Sequence, residues 1–260
     1  MYIKLMFSVG KEVLHMAHLR IRKSFEFSCQ KFIKNKILLI AEMPNIKEHY
    51  CSIKQLKFEK IKNKYLPIIK GLQTYNDELK KFLCEDALLG TLMCINNTYL
   101  IFDKRDFTYN HKSNAAKMQL LGYVTLTNDS ISLNRKLKET FRDKGINYRS
   151  LPALKIGRLC VDSRYERRNI GRLIVAFCIK RACFLNQGSA CRFITVDAKR
   201  NQDKNQDSYH FYKKLNFEIL EHKDKNKDEF VKQTSGTMPM FFDIYKILQE
   251  VFPVIVAKFI

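Results

Sequence analysis

Residues 165 to 172, Y-E-R-R-N-I-G-R, gather Arg167, Arg168 and Arg172 around the single glycine Gly171, with Arg164 just ahead of them. The run before them, Leu154 to Val161, is apolar and strand-like, and the run from about Gly171 is apolar and helix-like. A loop between a buried strand and a buried helix sets the helix's unpaired N–H groups and positive dipole end at the carboxyl edge of a sheet. That arrangement binds phosphate. The three spaced glycines of a dinucleotide fingerprint and the Gly-Lys-Ser/Thr of a nucleotide P-loop are both missing. The residue types support a one-glycine phosphate cradle assisted by arginine side chains.

Metal chemistry finds no support. His15 and His18 are three residues apart, with no cysteine or carboxylate at zinc-like spacing, so no metal site is expected. The cysteines (Cys29, Cys51, Cys84, Cys94, Cys160, Cys178, Cys183, Cys191) form no C-x-x-C pair and several lie in apolar runs. They read as buried thiols in a reducing compartment. With 46% apolar and 12% aromatic residues over 260 positions, the chain can bury one ordinary core plus an appendage. Its formal charge of +21 suits a negative partner such as nucleic acid, anionic lipid or a polyphosphate cofactor. Coding bias toward lysine explains the same charge with no partner at all, and composition leaves both readings open. The amino terminus lacks a signal-peptide pattern, and no apolar stretch reaches 18 residues, so the expectation is a cytoplasmic protein that does not enter a membrane.

The elements that must position the loop follow from the pattern around it. Residues 1–50, with helix-like spacing at Val13, Leu14, Met16 and Leu19 and a basic run to Lys36, read as a helical appendage of unknown role. Leu56 to Lys60 alternates as a half-buried strand, and Asn76 or Asp77 caps a helix carrying Leu79, Phe82, Leu83 and Ala87. Strands are expected at Thr98 to Asp103, Gln119 to Thr127, Leu154 to Val161, Phe193 to Val196, Phe217 to Leu220 and Thr237 to Ile244. A buried helix from Gly171 to Asn186 ends at Asn186-Gln187-Gly188, and a short helix from Ser208 to Leu215 follows a polar loop over 199–207. Strands and helices interleave around one mixed sheet, which is an α/β (α+β) architecture. Residues 246–260 form an apolar tail.

The stretches L-P-A-L-K-I-G-R-L-C-V-D, Y-E-R-R-N-I-G-R-L-I, C-R-F-I-T-V-D-A and F-Y-K-K-L-N-F, in that order, closely resemble the GNAT superfamily of acetyl-CoA-dependent N-acetyltransferases. E-D-A-L, T-Y-L-I-F-D and G-Y-V-T-L-T-N-D-S-I resemble the amino-terminal half of the branch that includes toxin-type members. The resemblance covers residues 54–245 and implies a central mixed, mostly antiparallel sheet flanked by helices. It further implies acetyl-CoA as co-substrate, no metal, and a direct attack by a primary amine within a ternary complex. The backbone of Leu159, Cys160 and Val161 would pair with the pantetheine arm, and Arg167, Arg168, Asn169, Ile170, Gly171 and Arg172 would cradle the pyrophosphate.

The loop departs from the family pattern at Glu166, where Gln or Arg is usual, and at Asn169, where Gly is usual. Asparagine is the least costly replacement where a positive φ is needed, so Asn169 is expected to keep the turn. Glu166 is expected to point outward, toward Arg164 or Arg168. Tyr212 falls where the family places the acid that protonates the departing thiolate, although a core tyrosine beside Phe211 would read the same way. Counting back from Tyr212 favours Asn205 over Asn201 as the cofactor-touching asparagine.

The acceptor amine is less legible. A lysine of pKa ~10.4 costs about 4 kcal/mol to deprotonate near pH 7, so a lysine acetylase benefits from a carboxylate base, for which Asp129 and Asp197 are candidates. An aminoacyl ester's α-amine is far less basic. That contrast supports the alternative of a toxin acetylating aminoacyl-tRNA, held by a basic surface and checked by an antitoxin protein, with a homodimer as a further candidate assembly. A non-catalytic acetyl-CoA-binding or partner-docking module is the third reading.

Overall fold

The alternation in L-K-F-E-K forms the first strand, β1 (Leu56–Lys60), in a computed structural model that describes residues 52–110, 118–186, 188–201, 207–220 and 236–248. The appendage over 1–50, with His15 and His18, and Asn205 lie outside the described residues, as does the tail from 249 onward. A short helix α1 (Leu66–Ile69) has Pro67 in its first turn, where a missing N–H costs nothing. Asn76 then caps α2 (Asp77–Glu85), its side-chain oxygen accepting from the N–H groups of Glu78 and Leu79. Ala87 does not continue that helix, as the periodicity suggested. It opens a separate helix, α3 (Ala87–Leu92), with Asp86 at the junction. Cys94 turns the chain at φ 58 into β2 (Asn97–Asp103) and is exposed, so the expectation of buried thiols fails there. Cys160, Cys178, Cys183 and Cys191 are buried as expected.

Helix α4 (Lys104–Asn110) is started by Asp103, whose carboxylate accepts from Arg105 N–H, and β3 (Leu120–Ser132) runs well past the expected Thr127. Helix α5 (Arg135–Arg142) is an element not among those expected, and Leu137 and Phe141, four residues apart in R-K-L-K-E-T-F-R, form its one apolar face. It forms because Asn134 caps it, accepting from Leu137 N–H at 2.9 Å, and because Phe141 packs edge-on against Phe193. The chain continues through β4 (Ser150–Val161), α6 (Ile170–Leu185), β5 (Phe193–Arg200), α7 (Tyr209–Lys214), β6 (Glu218–Ile219), β7 (Gly236–Asp243) and α8 (Tyr245–Leu248). Lys199 and Arg200, expected in a loop, therefore belong to a strand.

Among the described residues seven strands make one sheet in the order β1-β2-β3-β4-β5-β7-β6, antiparallel throughout except for the parallel pair β4 and β5. Helix α6 lies on one face and buries Ile170, Leu173, Ile174, Val175, Ala176, Cys178, Ile179, Ala182 and Cys183. Each large aliphatic side chain so buried contributes about 1.5–3 kcal/mol, which makes α6 the principal clamp on the sheet. Asn186 closes it, donating to the carbonyls of Ala182 and Cys191 and accepting from Cys191 N–H. The other face carries α2 at one end, where the Tyr123 hydroxyl donates to Leu79 O at 2.7 Å. At the other end α5 covers a smaller cluster of Ile131, Leu133, Phe141, Leu151, Ala153, Phe193 and Phe241.

Candidate active site

The parallel pairing of β4 with β5 is short. It joins Ala153–Ile156 to Phe193–Val196 and stops there, while β4 runs on to Val161 and β5 to Arg200. One cause is a bulge: on β3, Thr125 faces Arg158 but Leu126 faces Ile156, so Gly157 is an extra residue that bends β4 away. The backbone of Leu159, Cys160 and Val161 keeps its ladder to β3 and presents its other side to the gap, an edge that can take an extended amide-bearing ligand. Gly122 lets β3 close on that segment, since a Cβ there would lie 2.3 Å from Cys160 O. The Cys160 thiol is buried and pushed up to about 11 chiefly by that burial, so Cys160 offers its backbone rather than a nucleophile.

Past Val161 the chain reverses into α6. Asn169 precedes the helix at φ 65, ψ 3, and Arg167 also takes the left-handed region at φ 60. Two non-glycine residues held there cost on the order of 1 kcal/mol each, which a loop keeps when its backbone must face a particular way. The first turn of α6 abuts the end of β4: a Cβ on Gly171 would lie 3.7 Å from Val161 Cγ2 and 3.3 Å from the Phe211 ring. Ile170, Gly171 and Arg172 form the first turn of α6 at the mouth of the gap, with Arg167 and Arg168 exposed beside them.

Arg164 has a different task. Its guanidinium grips the fully buried Asp162 at 2.8 Å and 2.7 Å and donates to Gly71 O at 3.2 Å. Gln73 N–H and Arg164 N–H also bond that carboxylate. Burial alone would raise Asp162, yet these bonds outweigh it and hold the carboxyl below its ordinary range. Glu166 is exposed as expected, but it does not pair with Arg164, which Asp162 occupies. The cation Glu166 feels is Arg167, opposing a desolvation that raises its carboxyl, while Arg168 lies over the Tyr165 ring at 5.5 Å.

Tyr212 stands on α7, the helix that packs against β5. Asp207, one residue before the N-cap Ser208, accepts from Tyr209 N–H, and the Ser208 hydroxyl accepts from Lys199 N–H of β5 at 2.7 Å. The buried pair Arg200 and Asp207, 3.2 Å apart, pins the two ends of the connecting loop. The Tyr212 ring is buried edge-on between Phe211 at 5.0 Å and Phe217 at 5.2 Å. Burial pushes its hydroxyl well above the usual tyrosine value, with Cys178 adding to the effect. Among the described residues nothing hydrogen-bonds that hydroxyl. Asn201 follows β5 half-buried.

No protein-family model matches the sequence, and no curated protein does. Solved structures do. A tyrosine-to-phenylalanine mutant of KacT superposes with a TM-score of 0.55 at 21% identity, over 75% of this chain and 98% of its own. AtaT complexed with acetyl-methionyl-tRNAfMet gives 0.56 at 18%, over 75% and 99%, and AtaTR bound with AcCoA gives 0.54 at 19%, over 76% and 99%. The chain has a GNAT-like fold.

On the GNAT sheet the face opposite α6 holds the candidate bases. Alternation along β3 puts Thr125, Thr127 and Asp129 on the α2 side, and their partners Arg158, Lys155 and Ala153 share it. Asp129 accepts from the Thr195 hydroxyl at 2.5 Å, and Asp197 is paired with Lys155 at 2.7 Å. Both carboxylates are engaged. Asp162, Gly122 and Phe211 were not singled out by their sequence pattern. An acid ending a strand just before an arginine loop, and a lone glycine inside an apolar strand, are the signals that point to the first two.

Proposed function

We propose that this protein is an acetyl-CoA-dependent N-acetyltransferase whose acceptor is the α-amine of an aminoacyl-tRNA. The observation that carries the first half is the gap between β4 and β5, with the α6 N-terminus at its mouth. The fit to acetyl-CoA rests on three features of the chain: the open edge at Leu159–Val161, the left-handed turn at Asn169, and Gly171 with no Cβ where the helix meets Val161. Acetyl-CoA supplies an activated acetyl thioester. The β4 edge orients an extended arm, the first turn of α6 with Arg167, Arg168 and Arg172 neutralises phosphate charge, and a strand N–H stabilises the oxyanion of the attacked carbonyl. Tyr212, kept neutral by burial, donates its proton to the leaving sulfur.

The acceptor half rests on the opposite face, where Asp129 and Asp197 are both engaged by neighbours. A lysine needs a free base, whereas an α-amine of pKa roughly 8 is already partly neutral near pH 7. The likeness to AtaT, a structure of which holds acetyl-methionyl-tRNAfMet, and the +21 charge support the same reading. Neighbours solved with an antitoxin support an antitoxin protein as a partner of this chain too. Purified protein incubated with labelled acetyl-CoA, aminoacyl-tRNA, a lysine-rich protein and small amines should place label on the tRNA, released by mild alkali as N-acetyl amino acid. Label confined to protein or small amines would overturn the acceptor assignment.

A further inference from the structure

Arg158 is a side chain on the acceptor face whose chemistry the reaction has not used. It follows the Gly157 bulge and immediately precedes Leu159, so it projects to the face opposite α6 within about one residue's rise, ~3.3 Å, of the cofactor edge. Its neighbours on that face are already matched, Lys155 by Asp197 and Asp129 by Thr195. Arg158 is exposed, lies over the Phe82 ring at 5.4 Å, and spends one donor on Gly157 O at 2.9 Å. No carboxylate of the described residues pairs with it. Phe82 is itself held against Tyr123, at 6.4 Å between rings, so the stacked guanidinium rests on a fixed platform.

A guanidinium has five donors in a rigid fork. Stacked on an aromatic face with one donor used, it keeps the rest directed at solvent and loses little entropy when an oxyanion arrives. Resting on the reading of the acceptor as aminoacyl-tRNA, we infer that Arg158 is a recognition residue that binds a phosphodiester of the acceptor's 3′ end and thereby sets the α-amine against the thioester. It acts on acceptor binding and not on the cofactor.

The test compares wild type, Arg158→Gln and Arg158→Lys on two acceptors, aminoacyl-tRNA and the methyl ester of the same amino acid, which has no phosphate. Arg158→Gln should raise KM for aminoacyl-tRNA about 10- to 100-fold with kcat changed less, and lower the salt slope of kcat/KM by about one, while Arg158→Lys recovers part of the loss. Turnover of the methyl ester, acetyl-CoA affinity by calorimetry and the melting temperature should match wild type. Equal KM values for aminoacyl-tRNA, an equal loss on the methyl ester, or a loss of acetyl-CoA affinity would each overturn the assignment of Arg158. If wild type leaves aminoacyl-tRNA unmodified while acetylating another amine, the reading of the acceptor falls and this inference falls with it.

Discussion

Tyr212 occupies a place where a phenol keeps its proton: buried, raised, and without a hydrogen-bond partner among the described residues. Tyr212→Phe keeps the ring between Phe211 and Phe217, so melting temperature and acetyl-CoA affinity should stay near wild type while kcat drops ~100-fold or more. A Phe variant that retains more than about a third of kcat in a chemistry-limited assay would remove the tyrosine from the mechanism. Because the hydroxyl is raised, its acid form persists above the ordinary ~10, and kcat should show no alkaline loss centred there. Asp162 acts on stability instead. Its folded carboxyl is depressed, so its contribution is full above the unfolded value of ~3.9 and is lost as pH falls through the folded value. Asp162→Asn should cost about 1–3 kcal/mol at neutral pH in denaturant melts and make the remaining stability less acid-sensitive. An unchanged acid limb would show that the carboxylate's grip on Arg164 and Gln73 does not hold the strand end.

The gap between β4 and β5 is made by elements rather than by any one side chain. A bulge at Gly157 bends one strand out, and Gly122 admits the close approach that holds the bent strand to β3. Gly122→Ala drives a methyl group into the Cys160 carbonyl, and backbone cannot yield as a side-chain end can. It should destabilise the fold by about 1–3 kcal/mol and weaken acetyl-CoA binding, because the displaced segment is the cofactor edge itself. Wild-type melting and affinity in this variant would refute the close-approach argument. At the other end of the gap, Asn169→Gly should be tolerated at φ 65, whereas Asn169→Val should weaken acetyl-CoA binding tenfold or more in calorimetry. Equal affinities for the two variants would show that the turn is not what binds. The turn was legible because asparagine in place of glycine advertises a left-handed residue. The bulge was not, because Gly157 looks like any strand glycine until the register of its neighbour is known.

At the scale of the molecule, +21 of charge on a chain with the GNAT fold predicts a salt-sensitive reaction. If aminoacyl-tRNA is the acceptor, kcat/KM should fall steeply between about 50 and 200 mM salt, because the counterions that phosphate contacts release gain less entropy in saltier solution, while acetyl-CoA binding weakens far less. A flat response would indicate that the charge reflects composition alone. No helix among the described residues is long and apolar enough to cross a membrane. By itself the sequence determined the strands, the two helices that flank them most closely and the place of the arginine loop, because hydrophobic period, cap residues and glycine or asparagine punctuation are local properties of the chain, while the candidate tyrosine followed from the resemblance to a family. The sequence left α5 unread and misjudged Cys94, where one turn placed the thiol at the surface. Only the tertiary structure decided which arginine grips Asp162 and which remain at the helix mouth. It alone put Asp129 and Asp197 in contact with Thr195 and Lys155, and left Arg158 stacked on Phe82 without a carboxylate. Those outcomes depend on pairings between residues tens of positions apart, and on a one-residue bulge that chooses the face each side chain takes. Such choices are energetic contests between distant segments, and no local window of sequence contains both contestants.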